Sequence, residues 1–272
     1  MRIESIRRVS IPIFESQTRR TADAISQRML VRGPHLDELE EALCRFSGRR
    51  FAVLVENGFS ALLAAIRFAS NQPGNVVANP ISTCFAVPNA IKAAGRNIRF
   101  TDIDTNSMGL PVVDPHPSDA VIVAADHFGY LSPAALNAVP QMIPIVHDAS
   151  QSLLSLTQSN RSRALMTTAS FYPSKVLNGI DGGAILLDDA ELAESLRRFC
   201  YYESQNAPED DARMNLRLAN IHAAFLLGTL EHLEQIRNRL VEIFGRLQQS
   251  ATRQGLTVRL PHTGELPIRS DP

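Results

Sequence analysis

Lysine is almost missing from this sequence of 272 residues. It occurs twice, as Lys92 and Lys175, against 25 arginines. Chemistry that needs a neutral primary amine therefore has two candidates. Cysteine is scarce as well. Cys44, Cys84 and Cys200 stand at spacings that fit neither a disulfide framework nor a metal site, and they suit a reducing compartment. Neither sign of charge dominates: the formal net charge is −1, which leaves no electrostatic footprint for nucleic acid or an anionic membrane. No apolar run is long enough to span a bilayer, and the richest, Ala120 to Ala125, ends at Asp126 and His127. The opening MRIESIRRVSIPIFES lacks the apolar core of a signal peptide, so the expectation is a cytoplasmic protein.

What is present is an ordinary globular balance. Hydrophobic residues make up 44% and charged residues 20%, which argues against disorder and supplies enough apolar surface for a sizeable core. Ile25, Met29 and Leu30, then Leu36, Leu39, Leu43 and Phe46, recur at helical spacing, with Gly33-Pro34 as a break. Short apolar strands are expected at Phe51 to Val55, Val76 to Ala78, Ile98 to Asp102, Ala120 to Ala124, Pro144 to His147 and Ala184 to Leu187. Helices fall between them at Ser60 to Ala69 and Val87 to Ala94. Further helices follow at Leu192 to Tyr201 and in one stretch from Ile221 to about Leu247. Such alternation implies an α/β fold with a parallel sheet buried on both faces. Ligands of open sheets of this kind bind beyond the C-terminal strand ends. Here those ends are Asn57-Gly58, Asp126-His127 and Asp148.

Three segments at these ends carry chemistry. In Ser170-Phe-Tyr-Pro-Ser-Lys175 a lysine follows a strand-like segment and precedes a glycine-rich turn (Gly179, Gly182, Gly183). It suits a Schiff base with an aldehyde cofactor, although such a lysine taken alone is more often an exposed loop residue. In Val146-His-Asp148-Ala-Ser-Gln151 an aspartate closes a buried strand, where it either pairs with a protonated pyridine nitrogen or caps the next helix. In Glu56-Asn57-Gly58-Phe59-Ser60 a glycine-bearing turn opens a helix, whose free N–H groups and dipole favour an anion.

Together these segments resemble the DegT/DnrJ/EryC1/StrS aminotransferases. The likeness extends to Gly33-Pro-His-Leu-Asp-Glu-Leu-Glu40, Asp102-Ile-Asp104, Asp126-His-Phe-Gly129, Asp181-Gly-Gly and Asn215-Leu-Arg-Leu-Ala-Asn-Ile-His-Ala-Ala224, in the family's order. The resemblance implies the large domain of a fold-type-I enzyme, a mostly parallel sheet flanked by helices. It also implies pyridoxal 5'-phosphate as cofactor and, as partners, a nucleotide-linked keto sugar and glutamate. Lys175 would hold the cofactor as a Schiff base and shuttle a proton between cofactor and substrate carbons. Asp148 would hold the pyridinium and Gln151 would touch the 3-hydroxyl. Ser170, with Gly58 and the N–H groups of Phe59 and Ser60, would bind the phosphate. Asn215 would reach that phosphate from a neighbouring subunit of a homodimer.

Three positions depart from the family pattern. Phe59 stands where a hydroxyl residue is usual. The ring-stacking aromatic is displaced, so that either Cys84 or Phe85 takes that role, or both pack in the core. Finally, the family's C-terminal small domain is expected only as a beginning: residues 1–247 read as the large domain and residues 248–272 as the start of a truncated or missing second one. That shortening motivates an alternative function, a catalytically deficient protein with a regulatory or assembly role. Elsewhere, His127 and His147 form a plausible pair, but no third metal ligand accompanies them. The apolar positions after Ile221 suit either subunit association or packing on the chain's own sheet.

Overall fold

The computed structural model describes residues 13–78, 84–102, 116–126, 136–137, 139–156, 163–202 and 213–256. Its strands are β1 (Phe51–Val55), β2 (Asn75–Ala78), β3 (Asn97–Phe100), β4 (Asp119–Ala125), β5 (Ile145–Asp148), β6 (Met166–Ser170) and β7 (Gly183–Leu187). They form one sheet in the order β1-β7-β6-β5-β4-β2-β3. The helices are α1 (Glu15–Ser26), α2 (Pro34–Ser47), α3 (Gly58–Ala69), α4 (Ala86–Ala93), α5 (Ala190–Cys200), α6 (Asn220–Leu230) and α7 (Leu233–Arg253). Among the described residues no helix is long and apolar enough to cross a membrane.

The central strands are apolar at successive positions because both faces are covered. On one face Val53, Val55, Val123, Val146, Met166 and Ile185 pack against α3, α4 and α5. On the other, Leu54, Ala169, Ala184 and Leu186 meet Leu39 and Leu43 of α2 and Ala223, Leu226 and Leu227 of α6. Strand β1 lies at an edge while β2 is five strands away, so α3 crosses the face between them and touches β5, β6 and β7. This explains its composition: Ala61, Leu62, Leu63, Ala64, Ala65 and Ile66 are all buried, as in a helix enclosed on nearly every side.

The sheet is mostly parallel, as the family resemblance implies, and one strand departs from that direction. Strand β7 runs antiparallel to both β1 and β6. The chain returns from β6 to β7 through residues 171–182 without a crossover helix, and a helix-free return of this kind reverses strand direction. The stretch after Ile221 is likewise two helices. They part at Glu231-His232, where the His232 ring stacks on Phe14 at 4.0 Å. The first of them, α6, is used within the chain. Gly228 lies so close to α1 that an added Cβ would fall 2.5 Å from the Gln17 backbone. The second, α7, has no fully buried residue and continues past residue 247 to Arg253.

Candidate active site

Strand pairing brings the three chemical segments to one edge of the sheet. Asp148 pairs with Thr168, Ser170 pairs with Gly183, and Gly183 pairs with Val55, the last residue of β1. Paired residues of neighbouring strands point to the same face, and alternate residues along a strand share it. Asp148 and Ser170 therefore stand on the face of Val146 and Met166, which is the face that α3 covers.

The approach of α3 to this edge depends on two glycines. A Cβ on Gly58 would fall 2.6 Å from the Ser170 Cβ, and one on Gly183 would fall 2.4 Å from the Asn57 carbonyl oxygen. Glycine at both positions lets the first turn of α3 sit directly on the end of the β6–β7 pair. Asn57 is the N-cap: its Oδ1 accepts the Ser60 N–H at 2.8 Å, and its carbonyl accepts the Ala61 N–H at 3.2 Å. Ser60 Oγ donates to Glu56 Oε1 at 3.0 Å. The expected phosphate role of the Ser60 N–H thus has an internal competitor, and among the first-turn donors those of Gly58 and Phe59 face the helix end. An asparagine just before an apolar helix is a readable capping signal, so this competition was accessible from the sequence.

Asp148 is 8% exposed. Its Oδ1 accepts the Ser150 N–H at 3.0 Å and the Ser150 hydroxyl at 2.6 Å. No α-helix begins behind it, since the chain enters turns and a single 3-10 turn at Leu153–Ser155. Gln151, three residues on, is half-buried.

On the reverse face, His147 Nε2 lies 2.6 Å from Asp126 Oδ2, which also accepts the Ser152 hydroxyl. Burial pushes the His147 imidazole down, but the charge and hydrogen bond of Asp126, reinforced by Asp148, outweigh it and hold the ring above its ordinary value. The sequence pairing of His147 with His127 falls on a residue outside the described set, as does Asp104 of the Asp102-Ile-Asp104 segment.

Lys175 is half-buried in the 171–182 loop, with its N–H bonded to the Tyr172 carbonyl at 2.8 Å. The loop is fixed at several points. Phe171 is fully buried, its N–H donates to Gly182 O at 2.8 Å, and its carbonyl accepts from Gly179 at 2.8 Å. Thr229 Oγ1 donates to Asn178 O at 2.8 Å and accepts from Gln17 Nε2 at 2.6 Å, tying the loop to α6 and α1. Nothing in the sequence marks Gln17 and Thr229 for this task. Lys92 is exposed in the last turn of α4, just before β3 begins, and so lies at the opposite edge of the sheet.

Phe85 precedes α4 and is 79% exposed, and Cys84 is exposed too, so neither packs in the core. Asn215 is exposed; its Oδ1 accepts from the Arg217 guanidinium, which lies over the Tyr202 ring at 5.2 Å. Arg217 bridges to Val55, so Asn215 flanks the β1 end without a hydrogen bond to Ser170 of the same chain. The edge thus brings together the Gly58 turn and Ser170, the buried carboxylate of Asp148 and the anchored loop that carries Lys175.

The profile of the DegT/DnrJ/EryC1/StrS aminotransferase family matches residues 13–264. Among curated relatives, the UDP-2-acetamido-2-deoxy-3-oxo-D-glucuronate aminotransferase of Pseudomonas aeruginosa is 32% identical over 232 residues. That similarity covers 78% of this chain and 64% of the relative, so the chain spans less than two thirds of the relative's length. Among solved structures, S. venezuelae DesV is similar with a TM-score of 0.81 at 24% identity, over 92% of this chain and 71% of DesV. NtdA from Bacillus subtilis with its bound cofactor PMP gives 0.78 at 21%, over 94% of this chain and 64% of NtdA. At these identities the two structures establish the shared fold, that of the fold-type-I aminotransferases. The chain belongs to the DegT/DnrJ/EryC1/StrS aminotransferase family.

Proposed function

We propose that this protein binds pyridoxal 5'-phosphate and moves an amino group from glutamate to a keto group of a nucleotide-linked sugar. One observation carries the reading: a single strand edge joins a glycine cradle that a Cβ would fill, a buried aspartate and the one lysine on that edge. These are the donor, counter-charge and nucleophile that the cofactor's phosphate, pyridine nitrogen and aldehyde require. The sugar class follows from the nucleotide-sugar name of the Pseudomonas relative.

The bound cofactor would supply an electron sink for charge that develops at the carbon bearing the transferred amine. The chain's own residues do the rest. The N–H groups of Gly58 and Phe59 and the Ser170 hydroxyl hold the phosphate, while Ser60 braces the turn through Glu56. Asp148 would orient the ring and hold a proton at the pyridine nitrogen. Gln151 would contact the 3-hydroxyl, and Phe85 or Cys84 would stack on the ring. Lys175 Nζ would hold the cofactor covalently and, as a free amine, would move a proton between the cofactor and substrate carbons. Asn215 serves the phosphate of a partner subunit in a cytoplasmic homodimer. Residues 1–247 act as the cofactor domain, with residues 248–272 beginning a second one.

Borohydride reduction of the protein with pyridoxal 5'-phosphate, followed by peptide mapping, tests the cofactor claim. Label on Lys175 supports it, whereas label confined to Lys92, or none, refutes it. Excess glutamate then tests the transfer: loss of the cofactor's visible band signals amination, and a persistent band supports the catalytically deficient alternative.

A further inference from the structure

Asp126, His147 and Ser152 are 5%, 1% and 0% exposed, a polar cluster sealed behind the sheet. His147 shares the reverse face with Ile145, which packs with Ile122 and Ala124 of β4. Its Nε2 meets Asp126 Oδ2 at 2.6 Å, and Ser152 donates to the same oxygen. Among the described residues its Nδ1 has no hydrogen-bond partner. A buried ion pair is a poor stability device, because apolar residues of similar volume do as well or better. The choice of residues calls for another reason.

The backbone supplies one. The Asp126 N–H donates to the carbonyl of Asp148 at 3.1 Å, and the Ser152 N–H donates to Ala149 O at 3.0 Å. Asp126 therefore grips β5 at Asp148 through its backbone and grips Ser152, beside Gln151, through its side chain. His147 locks that carboxylate in place from the strand itself. The charged groups around His147 are Asp126 at the end of β4, Asp148 on its own strand and Arg49 from the α2–β1 connection. Arg49 in turn donates to Thr167, the residue paired with His147.

We propose that the Asp126–His147–Ser152 cluster is a positioning unit that fixes Asp148 and Gln151 from behind the sheet and sets the field at the cofactor ring. This rests on the pyridoxal phosphate reading. The three residues touch neither cofactor nor substrate, so their effect passes through Asp148 and Gln151. The geometry supports this: the Nε2–Oδ2 pair joins the end of β4 to the strand residue next to Asp148, and Asp126 raises the affinity of the His147 ring for a proton.

The test compares His147→Gln and Ser152→Ala with the parent protein, each loaded with pyridoxal 5'-phosphate. Glutamine keeps a donor for Asp126 but cannot take up a proton. Without the imidazole the Asp126 carboxylate loses its cationic partner, and an uncompensated negative charge behind Asp148 makes protons bind more tightly, so the protonation midpoint of the cofactor's visible band should rise by about half a unit or more. Turnover should fall about tenfold with the KM for glutamate within about twofold, the mark of misplacement rather than lost binding. Ser152→Ala keeps the His147–Asp126 pair and loosens the grip, so its midpoint should stay while turnover falls about threefold. It also serves as the readout if His147→Gln does not fold. An unchanged midpoint and turnover in a folded His147→Gln, or unchanged turnover in Ser152→Ala, would show that the cluster is packing alone. Borohydride labelling of Lys175 in the parent protein tells a failure of this inference from a failure of the cofactor reading, and absence of label there overturns both.

Discussion

Gly58 and Ser170 stand so close that any side chain on the glycine would collide with the serine: an added Cβ would lie 2.6 Å from Ser170 Cβ and 2.9 Å from its Oγ. The contact joins the helix that crosses the sheet to the strand that leads into the lysine loop. Gly58→Ala should cost about 1–3 kcal/mol of stability through overpacking. It should also weaken pyridoxal 5'-phosphate binding at least about tenfold, because the displaced turn no longer aims its N–H groups. Thermal unfolding and cofactor titration check both, and normal affinity in a destabilised variant would remove Gly58 from the phosphate site.

Lys175→Ala should abolish covalent trapping of the cofactor, and Lys92→Ala should leave it intact. The two lysines occupy opposite edges of the sheet. Mass spectrometry after borohydride reduction reads the outcome directly. Trapping that survives in Lys175→Ala contradicts the assignment.

Asn215 is exposed and its Oδ1 accepts from the Arg217 guanidinium, which leaves its amide N–H groups for a second subunit. Asn215→Ala should cost about 1.5–3 kcal/mol of cofactor binding, about ten- to a hundredfold in affinity. Sedimentation should find a dimer. A monomer that binds the cofactor with undiminished affinity would exclude the shared site.

Thr168 carries a buried hydroxyl with no partner among the described residues, next to Asp148 in the sheet. Replacing an unsatisfied hydroxyl by a methyl of the same shape removes a desolvation penalty. Thr168→Val should therefore raise stability by about 1 kcal/mol, visible as a higher midpoint in denaturant. A loss of that size would reveal a partner for the hydroxyl in the working protein.

Asp119 gives a pH test away from the site. Burial pushes its carboxyl up, but the Arg99 guanidinium and the His116 N–H, at 2.8 Å, more than reverse this and leave it below the usual range. A depressed carboxylate contributes stability that is present above the unfolded value of about 3.9 and is lost as pH falls through the folded value. Asp119→Asn should unfold at lower temperature than the parent at pH 7, and the gap should close below about pH 4. A gap that is constant with pH would mean that the pair acts through packing.

Much of the outcome was written locally. The apolar runs of β1 and β4, the break at Gly33-Pro34 and the helix spacing of α2 and α5 each lie within about a dozen residues, the range over which side-chain periodicity and turn chemistry act. So does the placing of Asp148, Gly58 and Lys175 at the ends of elements, and with it the α/β class. The direction of β7 was not local. It followed from a helix-free return loop whose anchors, Gln17 and Thr229, come from distant helices. The same holds for the contact of Gly58 with Ser170, the pairing of His147 with Asp126 across two strands, and the exposure of Phe85. The sequence determined which elements form and which chemical groups sit at their ends. The tertiary structure decided which ends meet, because sheet order and the crossing of α3 bring together residues that no short-range pattern relates.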